Sequence, residues 1–179
     1  MPPVRAAMLR LSSYAFLNQS RLSDAIFSLK AAQELSPEAA DHLRLAKMYF
    51  LAGFDSDALS HAHRAHIQSP SDQTLYWLGW LSYLRQDTET ARKAFRDVVM
   101  HPESVLSDES LAWLITMGKP GSLQPSDAGQ ALRDAMRGVQ PASNPPDNFP
   151  VTVRLALRRE ALRAGLTGKD LPEDASPLM

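Results

Sequence analysis

The chain has 179 residues, 44% of them hydrophobic and 22% charged, and a formal net charge of −1. That length suits one domain, and a charge so close to zero gives no global field to recruit nucleic acid or an anionic membrane. Cysteine is absent, which removes disulfides, thiolate nucleophiles and cysteine-based zinc sites from consideration and fits an intracellular address.

The opening stretch, MPPVRAAMLRLSSYAF, lacks the unbroken apolar core of a signal peptide. No run of about 18 apolar residues follows anywhere, so no membrane span is expected and the expected location is the cytoplasm. Three segments then read as helical hairpins. Turns fall at Asn18–Asp24, Gly53–Asp57 and Arg85–Thr90, where Ser, Asp and Gly concentrate. Ser23 and Ser56 are placed to cap the second helices of the first two hairpins. Pro37, Pro70 and Pro102 close the units, because proline lacks an amide hydrogen and turns the residue before it away from helix.

The units share a period of 33 residues. Ala25, Ala58 and Ala91 stand on it, as do the small residues Ser13, Ala46 and Gly79 and the series Phe16, Tyr49 and Ser82. Read at Leu75–Pro102, the period carries Leu78-Gly79, then Ala91-x3-Phe95, then Pro102, the tetratricopeptide spacing with two of its aromatics replaced. In that spacing Gly79 lets the second helix lie close, Ala91 sits opposite it and Phe95 fills the wedge. One further step lands on Leu111 and Ala112, in a helix capped by Ser107 and ended by Gly118–Gly121. A helix opening at Pro125 follows, with Ala128, Leu132 and Ala135 displaced by four residues from the register. Terminal units of such arrays are atypical because one face meets water.

The expected fold is therefore all-α, a tetratricopeptide-repeat superhelix over 6–138. Its repeats span about 6–38, 39–71 and 72–104, with a degenerate fourth at 105–138. A proline-rich linker (139–150) leads to a basic amphipathic helix and tail (151–179). In that last helix Leu155, Ala161, Leu162 and Leu166 interleave with Arg154, Arg158, Arg159 and Arg163. The helix reads best as a cap over the end of the array, its arginines in water and their stems spread over apolar surface.

The register names the side chains expected on the concave face. They are Arg10, Tyr14 and Leu17 in the first unit and Leu43, Lys47 and Phe50 in the second. Tyr76, Trp80 and Tyr83 follow in the third and Trp113 in the fourth. Residues at i, i+4 and i+7 share one helix stripe, so Tyr76, Trp80 and Tyr83 form an aromatic strip suited to an apolar peptide. The same rings could instead pack against neighbouring helices. The lysine–asparagine–arginine carboxylate clamp of heat-shock co-chaperones is not reproduced. Its positions hold Arg10, Tyr14, Arg44, Gln73 and Trp77, of which only Arg10 fits.

Catalysis finds no foothold. The phosphate loop, the dinucleotide fingerprint, the nucleophile elbow and the HExxH zinc motif are all missing. His61, His63 and His66 read as surface histidines rather than metal ligands, and acids such as Asp55, Asp57, Asp108 and Glu109 are explained by helix starts. No cofactor, metal or enzymatic activity is expected.

In its repeat register, over about Ala6 to Gly138, the chain resembles tetratricopeptide-repeat proteins. In its three units with flanking helices, small size and near-neutral charge it is similar to the chaperones of bacterial type III secretion, of the translocator and needle-subunit kinds. The resemblance implies a cytoplasmic, non-enzymatic chaperone holding an apolar helical or extended segment of a secreted or assembly-prone protein in its groove. The other reading is a scaffold or regulatory adaptor whose groove is filled by its own C-terminal helix. The partner expected is a protein, and an unfilled apolar trough would favour a homodimer.

Overall fold

The computed structural model describes residues 2–117 together with Pro125, Gly129, Gln130 and Arg133, and its regular elements there are all helical. In chain order they are α1 (Pro2–Asn18), α2 (Leu22–Leu35), α3 (Ala39–Ala52), α4 (Asp55–Gln68), α5 (Asp72–Leu84), α6 (Thr88–Val99) and α7 (Ser107–Met117). Contacts are densest within α1–α2, α3–α4 and α5–α6, and sparser between α2 and α3, α4 and α5, and α6 and α7. The result is a row of helical hairpins, an all-α and repeat-like architecture. The expected linker, the C-terminal helix and most of the second helix of the fourth unit lie outside the described residues.

The backbone repeats with the period of the sequence. Ser20, Gly53 and Gln86, each 33 residues from the next, adopt left-handed φ values of 58°, 85° and 63°. In each case the next amide reaches back over the helix end: Arg21 N–H to Phe16 O (2.8 Å), Phe54 N–H to Tyr49 O (2.9 Å) and Asp87 N–H to Ser82 O (3.0 Å). The left-handed residue's own amide bonds to Leu17, Phe50 or Tyr83 in the same order. These paired bonds form a Schellman stop, which satisfies carbonyls that the helix leaves open and reverses the chain. The second helix then begins at once, because the carbonyls of Arg21, Phe54 and Asp87 accept from Ala25, Ala58 and Ala91. Ser23 and Ser56, expected as caps, consequently lie inside the first turns, and Arg21 and Phe54 hold the cap positions without a side-chain bond. Side-chain capping appears instead at Ser71, reciprocally with Thr74, and at Asp87, which accepts from the Thr90 amide.

Small residues let the paired helices touch. Ser13, Ala46 and Gly79 are buried, as are Ala25, Ala58 and Ala91. The Ser13 hydroxyl donates to the Ala25 carbonyl across the first pair at 2.8 Å. In the third pair the residues facing Gly79 are Ala94 and Phe95 rather than Ala91. A Cβ placed on Gly79 would lie 3.1 Å from Phe95 Cε1 and 3.2 Å from Ala94 Cβ.

The pairs are tied to one another by polar as well as apolar contacts. Asp41, at the start of α3, is fully buried and accepts from Arg10 Nε of α1 at 3.0 and 3.1 Å. Arg10 also pairs with Glu38 at 2.9 Å, and Arg44 reaches Asp41 at 3.1 Å. Within the third pair, His101 meets Asp72 at 2.7 Å, joining the end of α6 to the start of α5.

Gly79 offers a sharp test of the close approach. Replacing it with Ala adds about 1 kcal/mol of helix propensity against a small steric penalty and should leave stability nearly unchanged. Replacing it with Leu adds bulk where there is none to spare and should cost about 3 kcal/mol or more in urea unfolding. Equal effects of the two substitutions would contradict the packing described.

Candidate partner-binding surface

α5 is apolar on nearly every side, with Tyr76, Trp77, Trp80 and Tyr83 all buried among neighbouring helices. Trp113 of α7 lies over this helix, its ring centroid 4.3 Å from that of Trp80 and 6.0 Å from that of Tyr83. Its indole N–H donates to the Tyr76 hydroxyl at 3.1 Å. Phe95 of α6 meets Tyr76 edge-on at 5.7 Å, and Phe50 of α3 meets Trp77 edge-on at 5.8 Å. These tilted and edge-on pairs suit the ring quadrupoles, each adding about 1 kcal/mol beyond the area buried. The cluster thus joins α3, α5, α6 and α7 into one apolar body.

The expected open aromatic strip is therefore closed. Phe50, Tyr76, Trp80, Tyr83 and Trp113 are between 0 and 4% exposed and face protein. The expectation of an open concave strip gives way to its alternative, in which these rings pack against neighbouring helices. Arg10 is likewise consumed by Asp41 and Glu38 and is not free to clamp a carboxylate. Leu17 and Leu43 are partly buried against the cores. Lys47 places its ammonium 5.1 Å from the Trp77 ring centre. Tyr14 is the most accessible of the predicted residues, with the Arg44 guanidinium 5.4 Å from its ring centre.

Part of the cover comes from the chain itself. Arg133 donates through Nε to the Phe50 carbonyl at 3.0 Å, forms an ion pair with Asp55, and lies 4.7 Å above the Phe50 ring. A cation suits that position, because the Phe50 carbonyl belongs to the negative C-terminal end of α3. Gly129 approaches α5 so closely that a Cβ there would come within 2.8 Å of Leu84 Cδ2. Neither residue stood out in the sequence, since a single arginine 78 positions from its acid leaves no local pattern.

Two features remain open to use. The indole N–H of Trp80 is buried without a hydrogen-bond partner, a state that costs about 1–3 kcal/mol. A cleft of about 480 Å³ lies beside the start of α5, between Asp72, Gln73, Tyr76 and Trp77 on one side and Glu103 to Leu106 on the other. Its rim includes the exposed Val105, and the hydrogen bonds from His101 and Ser104 hold Asp72 below the usual carboxylate range.

The histidines divide, contrary to the expectation that all lie on the surface. His63 is exposed, and His66 shares a hydrogen bond with Thr74 at 3.1 Å. His61 of α4 stacks on Tyr49 at 5.3 Å and shares a 2.9 Å Nδ1–Nδ1 contact with His42 of α3, whose Nε2 meets the Gln33 amide of α2 at 2.8 Å. With that amide donating, His42 carries its proton on Nδ1 and gives it to His61, so three helices share one directed chain. Among the described residues no group of three or more His, Asp or Glu side chains could hold a metal ion. Nor is any helix there long and apolar enough to cross a membrane.

The fold and cluster together define an all-α protein of repeated hairpins with an aromatic interior. Comparison with known proteins does not narrow this further: no family model, curated protein or solved structure matches the chain.

The histidine chain sets a pH dependence. Burial, the neighbouring His42 and Arg64 push the His61 pKa from 6.5 down to about 4, and burial also lowers that of His42. The folded state keeps His61 neutral while the unfolded chain takes up a proton below about pH 6.5. Stability is therefore complete above that pH and is lost as pH falls towards 4. His61→Gln should flatten the fall in melting temperature over this window, and an unchanged slope would exclude the pair as its source.

Proposed function

We propose that the chain is a non-enzymatic protein-binding module of tetratricopeptide type. On this reading it acts as a chaperone that takes an apolar or amphipathic segment of a secreted or assembly-prone protein onto the face of α3, α5 and α7. The observation that carries the proposal is the aromatic body under Phe50, Tyr76, Trp80 and Trp113, with the chain's own Arg133 seated on one edge of it. Large rings supply contact area with few rotamers to freeze, which is why they dominate recognition of apolar segments. The Trp80 N–H fits the same role, because an incoming backbone carbonyl would give it the acceptor it lacks. Entry would begin at the cleft lined by Tyr76 and Trp77.

In this mechanism the segment bearing Gly129 and Arg133 competes with the partner. A guest must displace the Arg133 contacts to Phe50 and Asp55, so the resting protein stays closed and its rings dry. A scaffold or adaptor within a standing complex is the second reading. The completeness of ring burial favours it, since a face sealed by its own chain serves as a core. Co-purification separates the two: a chaperone brings down one small apolar partner, and a scaffold brings down an assembly.

Arg133→Ala tests the closed state directly. All three tryptophans, Trp77, Trp80 and Trp113, are buried in this one cluster, so intrinsic fluorescence reads it without labels. The substitution should raise acrylamide quenching about twofold or more and increase partner capture, while helix content is retained. Unchanged quenching together with unchanged capture would remove the competition from the mechanism. Trp80→Ala is the wrong probe of binding, because emptying a buried indole site costs about 3–5 kcal/mol and unfolds the third hairpin with it.

A further inference from the structure

We infer that the outward face of α1 is a self-association surface on which α1 of a second copy of this chain lies antiparallel. The helix is apolar on both sides. Ala6, Leu9, Ser13 and Phe16 turn towards its neighbours, whereas Val4, Met8 and Leu11 are 58%, 63% and 69% exposed, with Ala7 and Ala15 also open. An amphipathic surface helix would carry polar residues there, and the end units of a repeat array ordinarily do so to stay soluble.

The spacing of the exposed residues identifies the occupant. Val4, Met8, Leu11 and Ala15 are separated by four, three and four residues, the 3.5-residue seam of a two-helix coiled coil. Such a seam is complementary to another copy of itself. Turned end for end, Met8 meets the similar-sized Leu11 at the centre, Val4 meets the small Ala15 at the ends, and the two helix dipoles oppose. No charge falls on the seam. The helix contains no acid, and its cations are Arg5 at the flank and Arg10, which is already held by Asp41 and Glu38.

The same charge count speaks against the chain's own C-terminal segment as the cover. Its expected helix carries Arg154, Arg158, Arg159 and Arg163 against the single acid Glu160, and would set about three net positive charges beside a helix that has no acid to answer them. The area is sufficient for a reversible pair. The exposed residues present a few hundred Å² per copy, so pairing would bury roughly 1,000 Å² in all, near the lower end for specific interfaces.

The test uses the full chain in light scattering or sedimentation, over a dilution series from roughly 1 to 100 μM. The native protein should pass from dimer to monomer within it. Leu11→Glu should weaken the dimer at least about a hundredfold, because pairing would bury a carboxylate against apolar side chains. Helix content should not change, since Leu11 lies outside both core clusters of the described residues; Met8→Lys gives the same readout from a second position. A native protein that is monomeric throughout, or a dimer indifferent to both substitutions, would overturn the inference. Orientation follows from single cysteines in a chain that has none. Mixed Val4→Cys and Ala15→Cys proteins should oxidise to each other faster than to themselves, and preferential self-linkage would refute the antiparallel arrangement.

Discussion

The closeness of the two helices within each hairpin is the constraint from which the rest of the structure follows. Ser13, Ala46 and Gly79 leave no side-chain bulk at the crossing, so the partner helices bring Ala25, Ala58 and Ala91 fully into the interior. Dispersion attraction falls off within an ångström of separation, and a crossing held open by one methylene group would forfeit it over many atom pairs. Close crossings also fix where larger side chains can go. Most are pushed to the seams between pairs, and the third seam collects Tyr76, Trp80, Tyr83 and Trp113. The aromatic body is thus a by-product of small residues elsewhere.

Between the first two hairpins an ion pair is added to the apolar contacts of Leu29 with Leu45 and Met48. Asp41 has lost all contact with water, and the Arg10 guanidinium, with help from Arg44, returns the interactions that burial removed. A buried pair of this kind contributes little net stability over an apolar joint, but breaking half of it is costly. Its value lies in direction. A guanidinium fork accepts a carboxylate in few orientations, so α1 is set against the start of α3 at one height, where an oily contact would tolerate sliding. The histidine chain through Gln33, His42 and His61 does the same for α2, α3 and α4.

Much of this architecture could be read from the residues, and the reasons for the failures are physical. Hairpins were legible because each needs small residues at one crossing, and a 33-residue recurrence of Ala and Ser exposes that need directly. Helical spacing likewise put Tyr76, Trp80 and Tyr83 on one stripe of α5. Whether those rings face solvent or neighbouring helices stayed open, because it depends on α7 and Arg133 arriving from elsewhere in the chain, and helical periodicity has no term for that. The caps were misread at Ser23 and Ser56 because the Schellman stop starts each second helix earlier than side-chain capping would. His61 was misread because its fate is decided by His42 and Tyr49 on another helix.

The three left-handed stops differ in one respect that bears on the molecule's margin for change. Gly53 takes its conformation at no steric cost, while Ser20 and Gln86 hold the same conformation against their own side chains, at about 1 kcal/mol each. Two of the three hinges therefore draw continuously on a reserve that folding must replenish from packing. Natural proteins stand only slightly above the stability their work requires. Damage elsewhere that the middle hairpin could absorb will bring down the first or the third.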